Sequence, residues 1–243
     1  MEDYKDVSPT EIADHLSEHI EPEDSEYNAV MRQWLSREEY DNLPNAKKYQ
    51  MALDRYKKRK KSAWQIGIEY ERYIGYLYEC AGYTVRYQGA LTGLEDMGRD
   101  LIADNGAERL IIQCKRWAKE KVIHEKHIFQ LFGTMVLSTL QDPYLSVHGV
   151  FVTSTTLTDV AKQCAAHLGI QVIENKPLSE YPLIKCNISK DGVKIYHLPM
   201  DLQYDRVIIT TSKGDCYAST VQEAEALGFR RAYRWSGSGT SKN

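Results

Sequence analysis

The residue types best suited to chemistry lie in one short segment, Asp100-Leu-Ile-Ala-Asp-Asn-Gly-Ala-Glu-Arg-Leu-Ile-Ile-Gln113-Cys114-Lys115. An acid opens one apolar run, and Gln-x-Lys closes the next. The intervening Asp104-Asn105-Gly106 is a turn signal, so the two runs read as strands of a hairpin. Side chains alternate along a strand, so Gln113 and Lys115 share a face, Cys114 points the other way, and Asp100 comes alongside. A carboxylate, an amide oxygen and an ammonium at one spot suit a hard cation and a water molecule, the equipment of metal-assisted phosphodiester hydrolysis. Asp100 is the main candidate metal ligand, with the Gln113 amide oxygen and the Cys114 backbone carbonyl as further oxygen donors. Lys115 is the natural group to position the water. Glu71, on a preceding helix, is a candidate second acid, and Asp96 lies one turn of loop ahead of Asp100.

These residues need a frame. The periodicity predicts mostly helix over 45–82, with Gly67 as the break and Ile66, Tyr70, Ile74, Leu77 and Ala81 as the buried stripe. Strands follow at 83–87, 99–103 and 109–116, then a helix over 124–140, a strand at 147–153, a helix over 158–168 and a strand at 170–173. A hairpin feeding later β-α-β units implies a mixed sheet with helices on both faces, an α/β fold. Ahead of it lie capping-box patterns at Ser8 and Ser36. From residue 182 the apolar runs shorten between the turn signals Lys190-Asp191-Gly192 and Ser212-Lys213-Gly214. These predict a small β-rich module closed by a helix over 221–227. The expected organisation is an acidic helical N-terminal extension (1–44), a basic helical segment (45–66), the α/β domain (67–178), the small C-terminal module (183–236) and a disordered Gly/Ser tail (237–243).

Composition narrows the class. Of 243 residues 42% are hydrophobic and 27% charged, and no apolar run is long enough to span a membrane. No secretory signal is visible, and five scattered cysteines without a Cys-x-x-Cys pair fit reduced thiols in a cytoplasm. Net charge is −3, but the average hides a gradient: residues 2–26 hold ten acids against Lys5, and residues 47–61 hold eight Lys and Arg against Asp54. Lys57, Lys58, Arg59, Lys60, Lys61 and Arg116 are therefore candidate phosphate contacts, balanced against a merely solvated helix face. Arg230, Arg231 and Arg234 interleave with Tyr233 and Trp235, a pattern suited to phosphate contact and base stacking. His15 and His19 read as a plain helix face, and His124 and His127 as solvated surface histidines. His127, Gln130 and Thr134 form a polar stripe opposite Ile128, Phe132 and Met135.

Residues 67–173 resemble the Mrr-like branch of the PD-(D/E)xK restriction endonuclease superfamily. The resemblance rests on Gly67-x-x-x-Glu71, Gly82-Tyr83-x-Val85, Asp96-x-Gly98-x-Asp100-Leu101-Ile102-Ala103, Leu110-Ile111-Ile112-Gln113-Cys114-Lys115-Arg116 and Val150-Phe151-Val152-Thr153-Ser154. In that branch Gln stands where the commoner motif has an acid. The resemblance implies a restriction-endonuclease-like sheet and a site of Glu71, Asp100, Gln113 and Lys115. It also implies Mg²⁺ as cofactor, with Mn²⁺ able to substitute, and Gln130 as a secondary site residue. The C-terminal stretch is similar to a small module appended to some bacterial nucleases and to the zinc-binding domain of the Ada alkyl-transfer proteins. Residues such as His197, Ala232 and Trp235 stand where that domain has cysteines, so no zinc is expected. The reading is a DNA endonuclease of a prokaryotic cell or phage, cytoplasmic, serving restriction or defence and acting as a homodimer or higher oligomer. The alternatives are a DNA-binding or structure-sensing protein on a weakly active nuclease fold, and a junction or repair nuclease.

Overall fold

The computed structural model describes residues 31–88, 99–117 and 121–232. The chain divides into two compact units, residues 59–230 and residues 1–58 with 231–243. In the second of these, helices α1 (Arg37–Asn42) and α2 (Asn45–Lys58) pack around Trp34, Leu35, Tyr40, Tyr49 and Leu53. The expected capping box forms at Ser36, whose hydroxyl accepts the Glu39 N–H while the Glu39 carboxylate accepts the Ser36 N–H. Arg55 then grips Glu39 through two bonds of 2.6 and 2.7 Å. Those bonds, with the Ser36 N–H, hold the Glu39 carboxyl down at about 2.

The larger unit begins with a capping box at Ser62, bonded reciprocally to Gln65, which starts α3 (Ala63–Cys80). The helix break therefore falls at residues 59–62 and not at Gly67, where a Cβ would meet nothing and the helix runs on. A five-stranded sheet follows: β1 (Thr84–Tyr87), β2 (Leu101–Asp104), β3 (Glu108–Lys115), β4 (Ser146–Thr153) and β5 (Ile170–Ile173), in that spatial order. The first three strands are antiparallel, and β3, β4 and β5 are parallel through crossovers over α4 (Glu125–Gln141) and α5 (Asp159–His167). The β2–β3 turn closes as its sequence predicts. The Asn105 side chain accepts the N–H groups of Ala107 and Glu108 at 3.0 Å, and Gly106 takes the positive φ of +89°.

Each face of the sheet has its own core. Tyr70, Tyr73 and Ile74 of α3 pack on Val85, Leu101, Ala103, Ile112 and Cys114. Ile128, Leu131 and Met135 of α4 pack on Ile102, Ile111 and Phe151. Tyr73 and Glu79 thus join the α3 stripe, whereas Ala81 is exposed. On α4, Thr134 turns inward and bonds the Leu131 carbonyl, while Phe132 faces out. No helix among the described residues is long and apolar enough to cross a membrane.

A second, small sheet of β6 (Ile184–Ile188), β7 (Lys194–His197), β8 (Cys216–Ala218) and β9 (Arg230–Arg231) has the order β8-β6-β7-β9, with α6 (Val221–Ala226) beside it. It is fastened to α3 by polar bonds. Arg72 pairs with Asp205 at 2.6 and 2.7 Å, and the buried Glu79 carboxylate accepts the hydroxyls of Tyr87 and Tyr217. Lys185 of β6, fully buried, donates to the Val207 carbonyl at 3.0 Å, lies 4.0 Å over the Tyr87 ring and sits 4.0 Å from Glu79. Burial pushes Glu79 up and Lys185 down, the latter to about 8, and each partner's charge opposes the shift.

Removing one member of such a buried pair strands the other. Lys185→Met is expected to cost about 3–5 kcal/mol in urea melts. Adding Glu79→Gln, which keeps an acceptor for the two tyrosines, should recover part of that loss. A double variant no better than the sum of the two single losses would contradict the pairing.

Candidate functional site

The site is built at the end of the β2–β3 pair. Leu101, the first residue of β2, lies opposite Ile112, and Asp100 immediately precedes it. The Asp100 N–H donates to the Ile112 carbonyl at 3.0 Å, and its carboxylate Oδ2 accepts the Cys114 N–H at 2.6 Å. Asp100 is buried, at 4% exposure, so its carboxylate takes the place of the next ladder bond at the point where β2 begins.

Backbone direction alternates along β3. The Lys115 carbonyl faces β4, where it accepts the Ser154 N–H at 3.1 Å. The N–H and carbonyl of Cys114 therefore face the β2 side, toward Asp100. Gln113 and Lys115 project from the same sheet face as Ile111, toward α4, while Cys114 packs in the core beneath α3.

Gln113 is fully buried. Its Nε2 donates to Gln130 Oε1 of α4 at 3.4 Å, which fixes the amide and turns Oε1 the other way. That Oε1 is buried and has no hydrogen-bond donor among the described residues. An orphaned buried acceptor costs about 1–3 kcal/mol, and a cation is one group that could complete it. Lys115 is half-buried at the strand end.

Glu71 comes from α3, on the other face. Its carboxylate, that of Asp100 and the Lys115 ammonium all act on the Cys114 thiol. Burial first, then the two acids, push that thiol well up, and Lys115 opposes them. Asp100, Gln113, Lys115 and Glu71 therefore surround one short piece of β3. Among the described residues no three His, Cys, Asp or Glu side chains form a metal-ligating group. The oxygen donors at hand are one buried carboxylate, an amide oxygen and a backbone carbonyl, with Glu71 nearby. Asp96 lies outside the described residues, as does Arg234.

The candidate DNA contacts are dispersed. Lys57, Lys58, Arg59, Lys60, Arg116 and Arg230 are exposed. Lys61 is paired with Glu69, and Arg231 lies 5.2 Å over the Tyr49 ring. His127 departs from its expected place as a solvated surface histidine. It is half-buried, packs edge-to-face on Trp117 at 5.3 Å, and its Nε2 is buried without a hydrogen-bond partner among the described residues. His124, one turn earlier, is exposed as expected. The signal for His127 was its i, i+3 relation to Gln130, which the polar stripe already contained.

Residues 66–181 match the restriction endonuclease family model of the Mrr catalytic domain. This segment, a little under half of the chain, is similar to the Mrr-type restriction endonucleases. The match encloses the whole five-stranded sheet and every site residue named above except the DNA contacts outside it. No curated protein matches the chain. Among solved structures, the protein of unknown function AF1548 is similar over 44% of this chain and 57% of its own, at 17% identity and a TM-score of 0.36. The MspJI restriction endonuclease, solved in complex with a 27-mer oligonucleotide, is similar over 58% of this chain and 32% of its own, at 14% identity and a TM-score of 0.33. The chain thus spans 57% and 32% of the lengths of these two proteins.

Within this segment, Asp100 has a structural duty apart from any chemistry. Asp100→Ala leaves the Cys114 N–H buried without an acceptor and is expected to cost about 1–3 kcal/mol in denaturant melts. Asp100→Asn keeps an acceptor oxygen and should lose less. Equal losses for the two would show that the bond contributes nothing.

Proposed function

We propose that this chain is a Mg²⁺-dependent endodeoxyribonuclease that hydrolyses phosphodiester bonds of DNA in restriction or phage defence. The observation that carries the reading is the buried Oε1 of Gln113, without a hydrogen-bond donor among the described residues, one residue from the Cys114 N–H that the Asp100 carboxylate holds, with Lys115 two residues along the same face. The donors fit a hard divalent cation, since all are oxygens: the Asp100 carboxylate, Gln113 Oε1, the Cys114 carbonyl and, from α3, Glu71. Such a cation supplies charge for a phosphoryl oxygen and lowers the pKa of a bound water.

The protein's own groups do the rest. The Gln113–Gln130 bond holds the amide so that its oxygen cannot turn away. The Asp100–Cys114 bond fixes the carboxylate to the strand. Lys115 offers N–H donors to the attacking water and offsets charge that develops on the phosphate. The exposed cations Lys57, Lys58, Arg59, Lys60, Arg116 and Arg230 suit a phosphate backbone. A cut through both strands of a duplex calls for two such sites, so a second copy of the chain belongs to the reading.

The test is incubation of the full chain with supercoiled plasmid in Mg²⁺ or EDTA. Cleavage should require the cation and fall by about 10²-fold or more in Asp100→Ala and Lys115→Ala. Wild-type rates in both variants would overturn the site. Salt-sensitive binding without cleavage of any form of DNA would favour a binding protein on a nuclease fold. A separate expectation concerns the cation alone. Gln113→Glu places a charged ligand where the amide stands and should tighten Mn²⁺ binding in calorimetry, and weaker binding would count against Gln113 as a ligand.

A further inference from the structure

His127 and Lys115 form a second rung beside Gln113 and Gln130. Along β3, Lys115 lies two residues beyond Gln113 on the same face, about 6.6 Å further. Along α4, His127 lies three residues before Gln130 on the same helix side, about 4.5 Å back. Strand and helix run in opposite senses in a β-α-β crossover, so the hydrogen bond between Gln113 and Gln130 sets the next rung as Lys115 facing His127. The electrostatics agree. Burial first, then Lys115, then Lys126 and His124 hold the His127 imidazole below its ordinary 6.5. Trp117 lies against the ring, with Lys121 above the indole at 5.9 Å. Among the described residues, the groups acting on it are all basic, and each opposes the imidazolium.

Two polar atoms at this sheet face are thus buried and without a hydrogen-bond partner among the described residues, Gln113 Oε1 and His127 Nε2, and Lys115 lies two residues beyond Gln113 on the same face. The first suits a cation. The second, beside an ammonium, suits a small neutral molecule that can donate to the imidazole and accept from the lysine, and water does both. We propose that His127 is a further catalytic residue, whose unprotonated Nε2 accepts a hydrogen bond from the attacking water that Lys115 holds by donation. A water held by a donor on one side and an acceptor on the other keeps a lone pair free for the phosphorus. This inference rests on the nuclease reading.

The experiment has two arms, both on the full chain. In the first, ¹⁵N-detected titration of the histidines without metal should give His127 a pKa below 6.5, and Lys115→Ala should raise it. An unchanged value in that variant would overturn the facing of the two side chains, whatever the enzyme does. In the second, cleavage of supercoiled plasmid is followed against pH. Since the neutral imidazole is the active form, wild-type kcat should fall as pH drops through the His127 pKa. His127→Ala should lower kcat about tenfold or more with KM nearly unchanged. His127→Gln, whose amide oxygen can accept from water, should recover part of kcat without the acid limb. Full kcat in His127→Ala, while Lys115→Ala is inactive, overturns the inference and leaves the nuclease reading standing. A wild-type protein that cuts nothing overturns both.

Discussion

The Asp100 carboxylate accepts the Cys114 N–H at 2.6 Å in a place where the β2–β3 ladder would otherwise continue. That single bond does two jobs. It closes the buried end of the hairpin, and it fixes a carboxylate against the stretch of β3 that carries Gln113 and Lys115. An acid at 4% exposure is costly unless its oxygens are used. One oxygen is committed to the strand through the Cys114 N–H. The site is therefore rigid because it is part of the sheet, in contrast to sites assembled on loops.

Helix α3 ties this site to the rest of the larger unit. Its inner side packs through Tyr70, Tyr73 and Ile74 on the sheet, and it carries Glu71 to the neighbourhood of Cys114. The next residue, Arg72, holds Asp205, and Glu79 two turns on holds Tyr87, Tyr217 and Lys185. Gly75 lets the helix approach this closely, since a Cβ there would collide with the buried Tyr87 ring. The C-terminal sheet thus grips the same helix that delivers the second acid.

The elements nearest the chemistry were the most legible. Asn105 and Gly106 force a tight turn, alternation in β3 separates Gln113 from Cys114, and the family match agrees with the motif order. The break before α3 was also written locally, in the Ser62–Gln65 capping box, but a glycine drew the expectation to residue 67. What sequence spacing does not carry is burial imposed by distant segments. Glu79 and Lys185 read as polar positions on a helix and a strand, and they are buried because two sheets meet across them. His127 reads as a surface histidine until Trp117, ten residues away, covers its ring.

The central claim is that Asp100, Gln113 and the Cys114 carbonyl form one cation site on a preorganised strand end. Paramagnetic broadening of backbone amide signals by trace Mn²⁺ tests it without DNA and without turnover. The account predicts broadening centred on residues 100 and 113–115, abolished by Asp100→Ala. Broadening centred elsewhere, or unchanged in that variant, would contradict it.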